Sequence, residues 1–444
     1  MSFIVDTNCG KVQGVLLNNG TIAFKGIRYA TAGRFEYPVE VTGWQGVYDA
    51  TNYGACCYQP RSFICEKENV KKVFYYNEFR RGEKYNYSED CLFLNVFTPN
   101  AKSEKLPVIV YIHGGGFTGG CGHEKHFDGP IWANKGAISV TINYRLGPLG
   151  FAVIEELYNE TGRAGNYGLY DQLTAINWVK HNISAFGGDP DNITIMGQSA
   201  GAMSVQYHVL SPLTKGLISK AVMSSGGGVS SLMTANKPQK QFKYWKSIMN
   251  KCGANTLDEF KRVPVDTLFK VWQENKKGTM GGGCSPCIDG EFIVGASHKL
   301  VKQGKQHDIN YLVGSTSHDV IPPILYSMAN KWCDTNDNAY QWFFERNLPG
   351  DDHGAWHSAD LWYWFGTLDN CWRPFTEKDY ALANEMSDRL VAFAKTGSPN
   401  INGYVTWNKG SKNIITFGDN DTTVKPPKKS KLWTTMFTNH APGE

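Results

Sequence analysis

The sequence predicts an α/β fold in which a large, mostly parallel β-sheet is flanked by helices. Short apolar and β-branched segments typical of buried strands recur along the chain, and patterns with helical spacing separate them. Because a parallel connection needs a crossover, which a helix usually supplies, this alternation favours a parallel sheet. The predicted strands cover residues 106–112, 137–144, 193–196, 220–224 and 311–314, and the predicted helices cover residues 168–185, 202–210 and 381–395.

The chain of 444 residues is long enough to bury a large core, and we expect residues 1–444 to form a single domain. An amphipathic pattern around residues 230–280, broken at Pro264, predicts a helical cap, although a purely structural layer of helices would have the same pattern. The aromatic-rich segment around residues 322–376 is predicted to be irregular.

Composition argues against several classes of function. The formal net charge of +4 is small for this length and gives no indication of nucleic-acid binding. No apolar run approaches the length of a membrane span, and the first residues enter strand-like sequence without the pattern of a secretory signal. The eleven cysteines are odd in number and irregularly spaced, which predicts mostly reduced thiols and a cytoplasmic location.

The strongest functional motif is the pentapeptide 197–201, Gly-Gln-Ser-Ala-Gly, which stands between a predicted strand and a predicted helix. It fits the G-x-S-x-G pattern, in which a sharp strand-to-helix turn exposes the hydroxyl of a nucleophilic serine. The start of the following helix also directs free N–H groups toward that position. The motif predicts that Ser199 is a catalytic nucleophile.

A second motif, His-Gly-Gly-Gly-Phe at residues 113–117, directly follows the predicted strand 106–112. Three successive glycines after a buried strand can form a flexible loop. They can also let backbone N–H groups converge on one oxygen, as an oxyanion hole requires. The serine motif in the same chain favours the oxyanion hole.

With these motifs in place, the chain resembles the type-B carboxylesterase and cholinesterase family of α/β-hydrolases, and most of all its bacterial, para-nitrobenzyl-esterase-like members. The resemblance implies an α/β-hydrolase fold with helical insertions, hydrolysis of carboxylic esters, and no metal or organic cofactor. The segments that carry it, in family order, are residues 24–30, 88–96, 113–117, 143–147, 165–172, 186–204 and 289–292.

The resemblance also indicates the partners of Ser199. The family's histidine loop matches residues 354–366, which selects His357 as the general base over His353. The segment in which the family places Glu followed by Gly carries Asp319 followed by Val320, so Asp319 is the predicted acid. Because aspartate is one methylene shorter, the backbone must come closer, or Asp360 or Asp369 must serve instead.

The remaining site residues follow from the same match. The residue after the nucleophile, Ala200, is expected to donate its N–H to the oxyanion, together with Gly115 and Gly116. Three aromatic residues, Phe117, Trp362 and Trp364, suggest a pocket for apolar or aromatic groups of a small-molecule ester, and core packing explains them equally well.

Two pairs of cysteines call for comment. Cys284 and Cys287 form a lone C-x-x-C without a second pair at zinc spacing, so we expect a structural role and no metal site. Cys57 and Cys91 stand where extracellular relatives of this family form a disulfide, whereas bacterial relatives can carry such cysteines unpaired.

The sequence thus predicts a serine hydrolase that cleaves carboxylic esters through a Ser-His-Asp triad and an acyl-enzyme intermediate. An acyl-transferase, a lactonase or a peptidase would use the same triad. A binding module without catalysis is the alternative from another class, and the intact Ser199 and His357 weigh against it.

Overall fold

The computed structural model describes residues 2–63, 73–99, 105–127, 130–276, 280–428, 432–433 and 435–436. The strands are β1 (Ser2–Thr7), β2 (Gly10–Leu16), β3 (Ile22–Arg28), β4 (Ala30–Thr31), β5 (Val39–Glu40), β6 (Val47–Asp49), β7 (Cys56–Cys57), β8 (Tyr87–Ser88), β9 (Phe93–Thr98), β10 (Leu106–Ile112), β11 (Ile138–Ile142), β12 (Gly188–Gln198), β13 (Lys220–Ser224), β14 (Asn310–Thr316), β15 (Ala339–Phe344), β16 (Ile415–Phe417) and β17 (Thr422–Val424).

Helices connect and cover these strands. The α-helices are α1 (Val73–Phe79), α2 (Ile131–Asn134), α3 (Gly147–Phe151), α4 (Glu155–Thr161), α5 (Tyr167–Asn182), α6 (Ala200–Leu210), α7 (Gln239–Lys251), α8 (Leu257–Arg262), α9 (Val265–Glu274), α10 (Ser297–Lys302), α11 (Pro322–Asp334), α12 (Leu361–Phe365) and α13 (Glu377–Thr396). Among the described residues, no helix is both long enough and apolar enough to cross a membrane.

One large sheet organises the chain. Its central strands run parallel in the order β11-β10-β12-β13-β14-β15-β16. Antiparallel strands extend it at both edges, through β9, β3, β2 and β1 on one side and β17 on the other. The predicted mostly parallel sheet flanked by helices is confirmed.

The central strand β10 is apolar along its whole length because both faces of the sheet are covered there. In β10, Val108, Val110 and Ile112 belong to one buried hydrophobic cluster, and Ile109 and Tyr111 belong to another. Side chains alternate between the two faces of a strand, so these clusters lie on opposite sides of the sheet. This is why the strand reads as a continuous apolar run rather than an alternating pattern.

The structure differs from the prediction over residues 322–376. This segment contains α11, the buried strand β15 and the short helix α12. The prediction was wrong because β15 lies between β14 and β16 with every residue buried, so its sequence, Ala-Tyr-Gln-Trp-Phe-Phe, shows neither alternation nor β-branched residues. Around residues 230–280 the helices α7, α8 and α9 do occur, and Pro264 directly precedes α9.

Cys57 and Cys91 are joined by a disulfide that connects β7 to the loop before β9. The other cysteines that the structure describes are free thiols, most of them buried. Most of the described cysteines are therefore free thiols, as expected, and this one pair is the exception.

A buried ion pair fixes the loop that follows β11. The guanidinium of Arg145 donates to the carboxylate of Asp171 on α5 through Nε at 2.9 Å and through a terminal nitrogen at 2.7 Å. Its other terminal nitrogen donates to the carbonyl oxygens of Gly33 and Glu36 at 3.0 and 2.8 Å. Arg145 thus ties three segments of the chain together without solvent, since both charged side chains are buried.

We predict that Asp171→Ala lowers the free energy of unfolding by about 3–5 kcal/mol, because the Arg145 charge then stays buried without its partner. Chemical denaturation measures this change. Asp191→Ala is the control, since Asp191 pairs with Lys180 in an ion pair whose carboxylate is 78% exposed. An equal loss of stability in both variants would contradict the prediction.

Candidate active site

Four loops at one edge of the sheet carry the predicted site residues. The glycine loop follows β10, Ser199 follows β12, Asp319 follows β14, and His357 lies in the loop after β15. These strands are parallel, so their carboxyl ends meet at the same edge of the sheet. The topology therefore gathers residues that are far apart in sequence.

Ser199 occupies the single-residue turn between β12 and α6, with a positive φ of 57°. Its N–H donates to the carbonyl of Ser224 at 2.9 Å. Close packing enforces the small residue at 201, because a Cβ there would lie 2.1 Å from the carbonyl oxygen of Ile112. Ser199 is thus held in a strained turn against the end of the neighbouring strand.

The glycine loop lies directly beside Ser199. A Cβ built on Gly114 would lie 3.1 Å from Ser199 Cβ, and one built on Gly115 would lie 2.1 Å from the Gly119 carbonyl oxygen. Gly115 and Gly116 have positive φ values of 103° and 63°. Gly115 therefore cannot carry a side chain in this loop, and the φ of Gly116 favours glycine.

Hydrogen bonds between two loops bring Asp319 to His357. The N–H of His318 donates to the Ala355 carbonyl at 3.0 Å, and His318 pairs with Trp356 in an isolated parallel bridge. The ring Nδ1 of His357 then contacts a carboxylate oxygen of Asp319 in a short hydrogen bond. This close approach of the two backbones compensates for the shorter aspartate side chain.

Asp319 is buried and remains a carboxylate. Burial by itself raises the pKa of Asp319. The charge of His357, the hydrogen bond from His357 and the hydrogen bond from the N–H of Thr316 together outweigh burial, so the pKa lies below its ordinary value. The N–H of Val320 donates to the same carboxylate at 2.9 Å. A hydrogen-bonded, charged Asp319 fixes the Nδ1–H tautomer of His357.

The other candidates from the sequence have different hydrogen-bond or ion-pair partners. Asp369 accepts a hydrogen bond from the hydroxyl of Tyr380 at 2.6 Å. Asp360 accepts from Ser224 Oγ at 2.7 Å and from Trp364 Nε1 at 3.2 Å. His353 lies beside Asp351, with 3.4 Å between its Nδ1 and a carboxylate oxygen, and is not part of the cavity lining.

The second ring nitrogen of His357 faces the residue before Ser199. His357 Nε2 lies 3.2 Å from the side-chain amide nitrogen of Gln198. Because Nδ1 carries the proton that Asp319 accepts, Nε2 presents its lone pair, to which the amide of Gln198 donates. That lone pair is what a general base requires.

Ser199 and His357 line one cavity of about 310 Å³ together with the three glycines 114–116. Its aromatic and aliphatic wall consists of Tyr75, Phe79, Tyr111, Phe127, Val320 and Leu361, and its polar wall includes Arg61, His113, Glu124, His126 and Gln198.

Two histidines of the cavity wall are held neutral. Burial lowers the pKa of His113 to about 3, and burial also lowers the pKa of His126 far below its ordinary value. His113 Nδ1–H donates to the Gly114 carbonyl at 2.9 Å, and the His126 ring stacks on Phe79 with 3.8 Å between centroids. Neither supplies a positive charge at neutral pH.

The structure corrects the predicted pocket residues. Phe117, Trp362 and Trp364 are buried in the hydrophobic clusters and do not line the cavity. Sequence reasoning missed Tyr75 and Phe79, which α1 contributes to the cavity wall. The only available signal was the concentration of aromatic residues within an otherwise polar, charged segment.

The sheet topology, the strained serine turn and the adjoining glycine loop define this chain as an α/β-hydrolase. The model of the carboxylesterase family matches residues 1–345 and 323–433. Para-nitrobenzyl esterase of Bacillus subtilis (strain 168) is 38% identical in an alignment of 468 residues, gaps included. The alignment covers 91% of this chain and 92% of that protein. The chain therefore belongs to the carboxylesterase family and is a carboxylic ester hydrolase.

Other relatives agree with this assignment. Bile salt-activated lipase of Mus musculus is 42% identical over 346 residues, which cover 71% of this chain and 53% of the lipase. A solved structure of a para-nitrobenzyl esterase superposes with a TM-score of 0.83 at 28% identity, covering 98% of this chain and 99% of that one. A carboxylesterase of Geobacillus stearothermophilus superposes with a TM-score of 0.82 at 26% identity, covering 97% and 99%.

We predict that Asp360→Asn stabilises the protein at pH 8 and has little effect at pH 4. Burial raises the pKa of Asp360 to about 6, against the hydrogen bond from Ser224, which lowers it. A carboxyl group whose pKa is raised on folding lowers the stability of the folded state at pH values above the raised pKa. This destabilisation disappears as the pH falls toward the ordinary pKa of the carboxyl group. Thermal unfolding of both proteins from pH 4 to pH 8 measures the difference. A difference that stays constant with pH would contradict the prediction.

Proposed function

We propose that this enzyme cleaves carboxylic esters through an acyl-enzyme on Ser199, with His357 as general base and Asp319 as the acid that orients it. One observation carries the proposal: Ser199 and the Nε2 side of His357 share one cavity, while Nδ1 of His357 is bound to a buried carboxylate. A serine hydroxyl needs a neutral imidazole to take its proton, and the imidazolium that forms needs a negative charge behind it.

The reaction follows in two halves. His357 takes the proton of Ser199 as its oxygen attacks the ester carbonyl, and then returns the proton to the leaving alcohol. Water activated by His357 releases the acid in the second half. For the first step, Nε2 must exchange the amide of Gln198 for the hydroxyl of Ser199, the neighbouring residue on the same wall. Catalytic hydrogen bonds often form only once substrate is bound.

The N–H groups of Gly115, Gly116 and Ala200 form the proposed oxyanion hole. Ala200 is the first residue of α6, so its N–H lacks a partner within the helix. Because His113 is neutral, stabilisation of the tetrahedral oxyanion falls to these backbone dipoles. One such donor contributes roughly 3 kcal/mol to lowering the barrier in comparable sites.

The cavity favours small, neutral esters with an aromatic or apolar group. Its volume of about 310 Å³ is at the lower end for ligand pockets. Tyr75, Phe79 and Leu361 provide an apolar wall. The charge of Arg61 is balanced by its ion pair with Glu124, so the cavity wall carries no unbalanced cation there for an anionic substrate. The name of the para-nitrobenzyl esterase relative agrees with an ester that carries an aromatic group.

The bacterial origin and the cytoplasmic location stay predictions from sequence. A structural disulfide such as Cys57–Cys91 is more typical of oxidising compartments, so cell fractionation is the appropriate test of location.

We predict that Ser199→Ala abolishes hydrolysis of short-chain para-nitrophenyl esters, because no nucleophile remains. An organophosphate should label wild type once, on Ser199, as read by peptide mass spectrometry. Ser247→Ala, which changes an exposed serine on α7, should retain full activity and the same label. Labelling of a residue other than Ser199, or turnover of the ester by Ser199→Ala, would contradict the proposal. Acyl transfer to added alcohols in place of water would instead identify a transferase.

We predict that Asp319→Asn lowers kcat by roughly 10⁴-fold with little change in KM, because the amide stabilises the wrong tautomer of His357 and cannot balance the imidazolium. Asp369→Asn is the matched control and should leave the rate unchanged, since Asp369 binds only Tyr380 at the surface. Equal rates for Asp319→Asn and wild type would assign the acid to another residue.

We predict that kcat/KM falls as pH decreases through the range in which the catalytic base takes up a proton, because protonated His357 cannot accept the Ser199 proton. The lowered pKa of Asp319 keeps this residue charged across the same range, so protonation of Asp319 does not contribute to the fall in rate. Initial rates from pH 5 to pH 8 provide the measurement, and a flat profile would argue against a histidine base.

A further inference from the structure

Three side chains of types that can bind a metal ion lie close together next to the glycine loop, and none of them has a role in the proposed reaction. Cys56 belongs to β7, and Cys121 and His123 follow the loop that begins at Gly114. Their donor atoms all lie within 4.8 Å of one another. Both cysteines are buried and His123 is half-buried.

The separation of two of the ligands suits a tetrahedral metal ion. Sγ of Cys56 lies 3.5 Å from Nε2 of His123. A zinc ion with a Zn–S bond of about 2.3 Å and a Zn–N bond of about 2.0–2.1 Å at a tetrahedral angle would separate these atoms by about 3.6 Å. Cys56 and His123 therefore already have the separation that a zinc ion requires, and Cys121 Sγ lies within 4.8 Å of both.

The surrounding protein holds the ligands in place without an ion. The side chain of Asn143 accepts a hydrogen bond of 2.7 Å from the N–H of Gly122, which lies between Cys121 and His123. It also donates a hydrogen bond of 2.9 Å to the carbonyl of Ala55, which directly precedes Cys56. The His123 ring stacks on Tyr53, with 4.5 Å between centroids and 6° between planes.

A second clamp joins the residue three positions after Cys56 to the residue directly before Cys121. Gln59 and Gly120 exchange two hydrogen bonds of 2.9 Å between side chain and backbone. Such outer contacts orient metal ligands in known sites and are part of what sets their affinity.

We propose that Cys56, Cys121 and His123 bind one Zn²⁺ ion. Thiolate and imidazole ligands select zinc and other thiophilic ions over Mg²⁺ and Ca²⁺, which prefer oxygen. The two thiols release their protons to solvent on binding, and the two thiolates balance the charge of the ion, so the occupied site is neutral. Among the described residues no fourth histidine, cysteine or carboxylate joins the group, which leaves a position for water.

The ion would act as a structural crosslink. It would join β7 to the end of the loop that carries Gly115 and Gly116. The ion takes no part in ester hydrolysis, and the inference stands apart from the proposed function.

The test is a Co²⁺ titration of the full-length chain, freed of metal and handled without oxygen so that the free thiols stay reduced and the Cys57–Cys91 disulfide stays intact. We expect one ion per chain, with thiolate-to-metal charge transfer and tetrahedral d–d bands, followed by displacement with Zn²⁺. Cys56→Ser, Cys121→Ser and His123→Gln should each weaken binding by about 100-fold or more, the upper range for loss of a supporting contact. Cys252→Ser, in a half-buried thiol at the end of α7, should bind as wild type does.

Stability provides a second readout. Zn²⁺ should raise the thermal midpoint of wild type and of Cys252→Ser, and should leave that of His123→Gln unchanged. Because His123 is only half-buried, this variant is expected to fold even if Cys121→Ser does not. A wild-type titration that matches His123→Gln, or a Co²⁺ spectrum without thiolate charge transfer, would overturn the proposal. Esterase activity of the metal-free chain reports separately on the proposed triad.

Discussion

The structure depends on a close approach between the turn at Ser199 and the strand beside it. Gly201 leaves no space for a side chain because the carbonyl of Ile112 lies against it, and a Cβ on Gly226 would meet the carbonyl oxygen of Ser199 at 2.1 Å. Backbone packed on backbone cannot relax by changing a rotamer, so Ser199 is fixed in its unusual conformation. The same contact sets the distance between Ser199 and the glycine loop.

Electrostatics then separates two neighbouring carboxyl groups. Asp319 and Asp360 are both buried near His357, yet their pKa values shift in opposite directions. Asp319 receives hydrogen bonds from backbone N–H groups and faces the imidazole, so its charge is stabilised. Asp360 receives hydrogen bonds only from the neutral groups of Ser224 and Trp364, and burial dominates. The charge of His357 and the local hydrogen bonds therefore outweigh burial at Asp319, whereas burial dominates at Asp360.

The glycine loop is held at both ends by contacts that do not involve substrate. At its start, His113 donates to the Gly114 carbonyl, and at its end Gly120 is clamped by Gln59. The cluster of Cys56, Cys121 and His123 lies immediately beyond that clamp. Backbone donors stabilise an oxyanion only when they need no reorganisation during the reaction, so rigidity at this end of the loop serves the proposed chemistry.

The sequence by itself determined the sheet, the serine turn and the glycine loop, because each is encoded by contiguous residues: apolar runs, a G-x-S-x-G pentapeptide and a three-glycine run. Resemblance added His357 and Asp319, whose contact the pairing of His318 with Trp356 explains. Only the tertiary structure decided the rest. Phe117, Trp362 and Trp364 lie in the core, whereas Tyr75 and Phe79 line the cavity. The sequence does not distinguish the two positions, because both favour aromatic side chains and the neighbours of each side chain are set by the fold. Cys56 lies beside Cys121 and His123 because the fold, and no sequence spacing, brings them together.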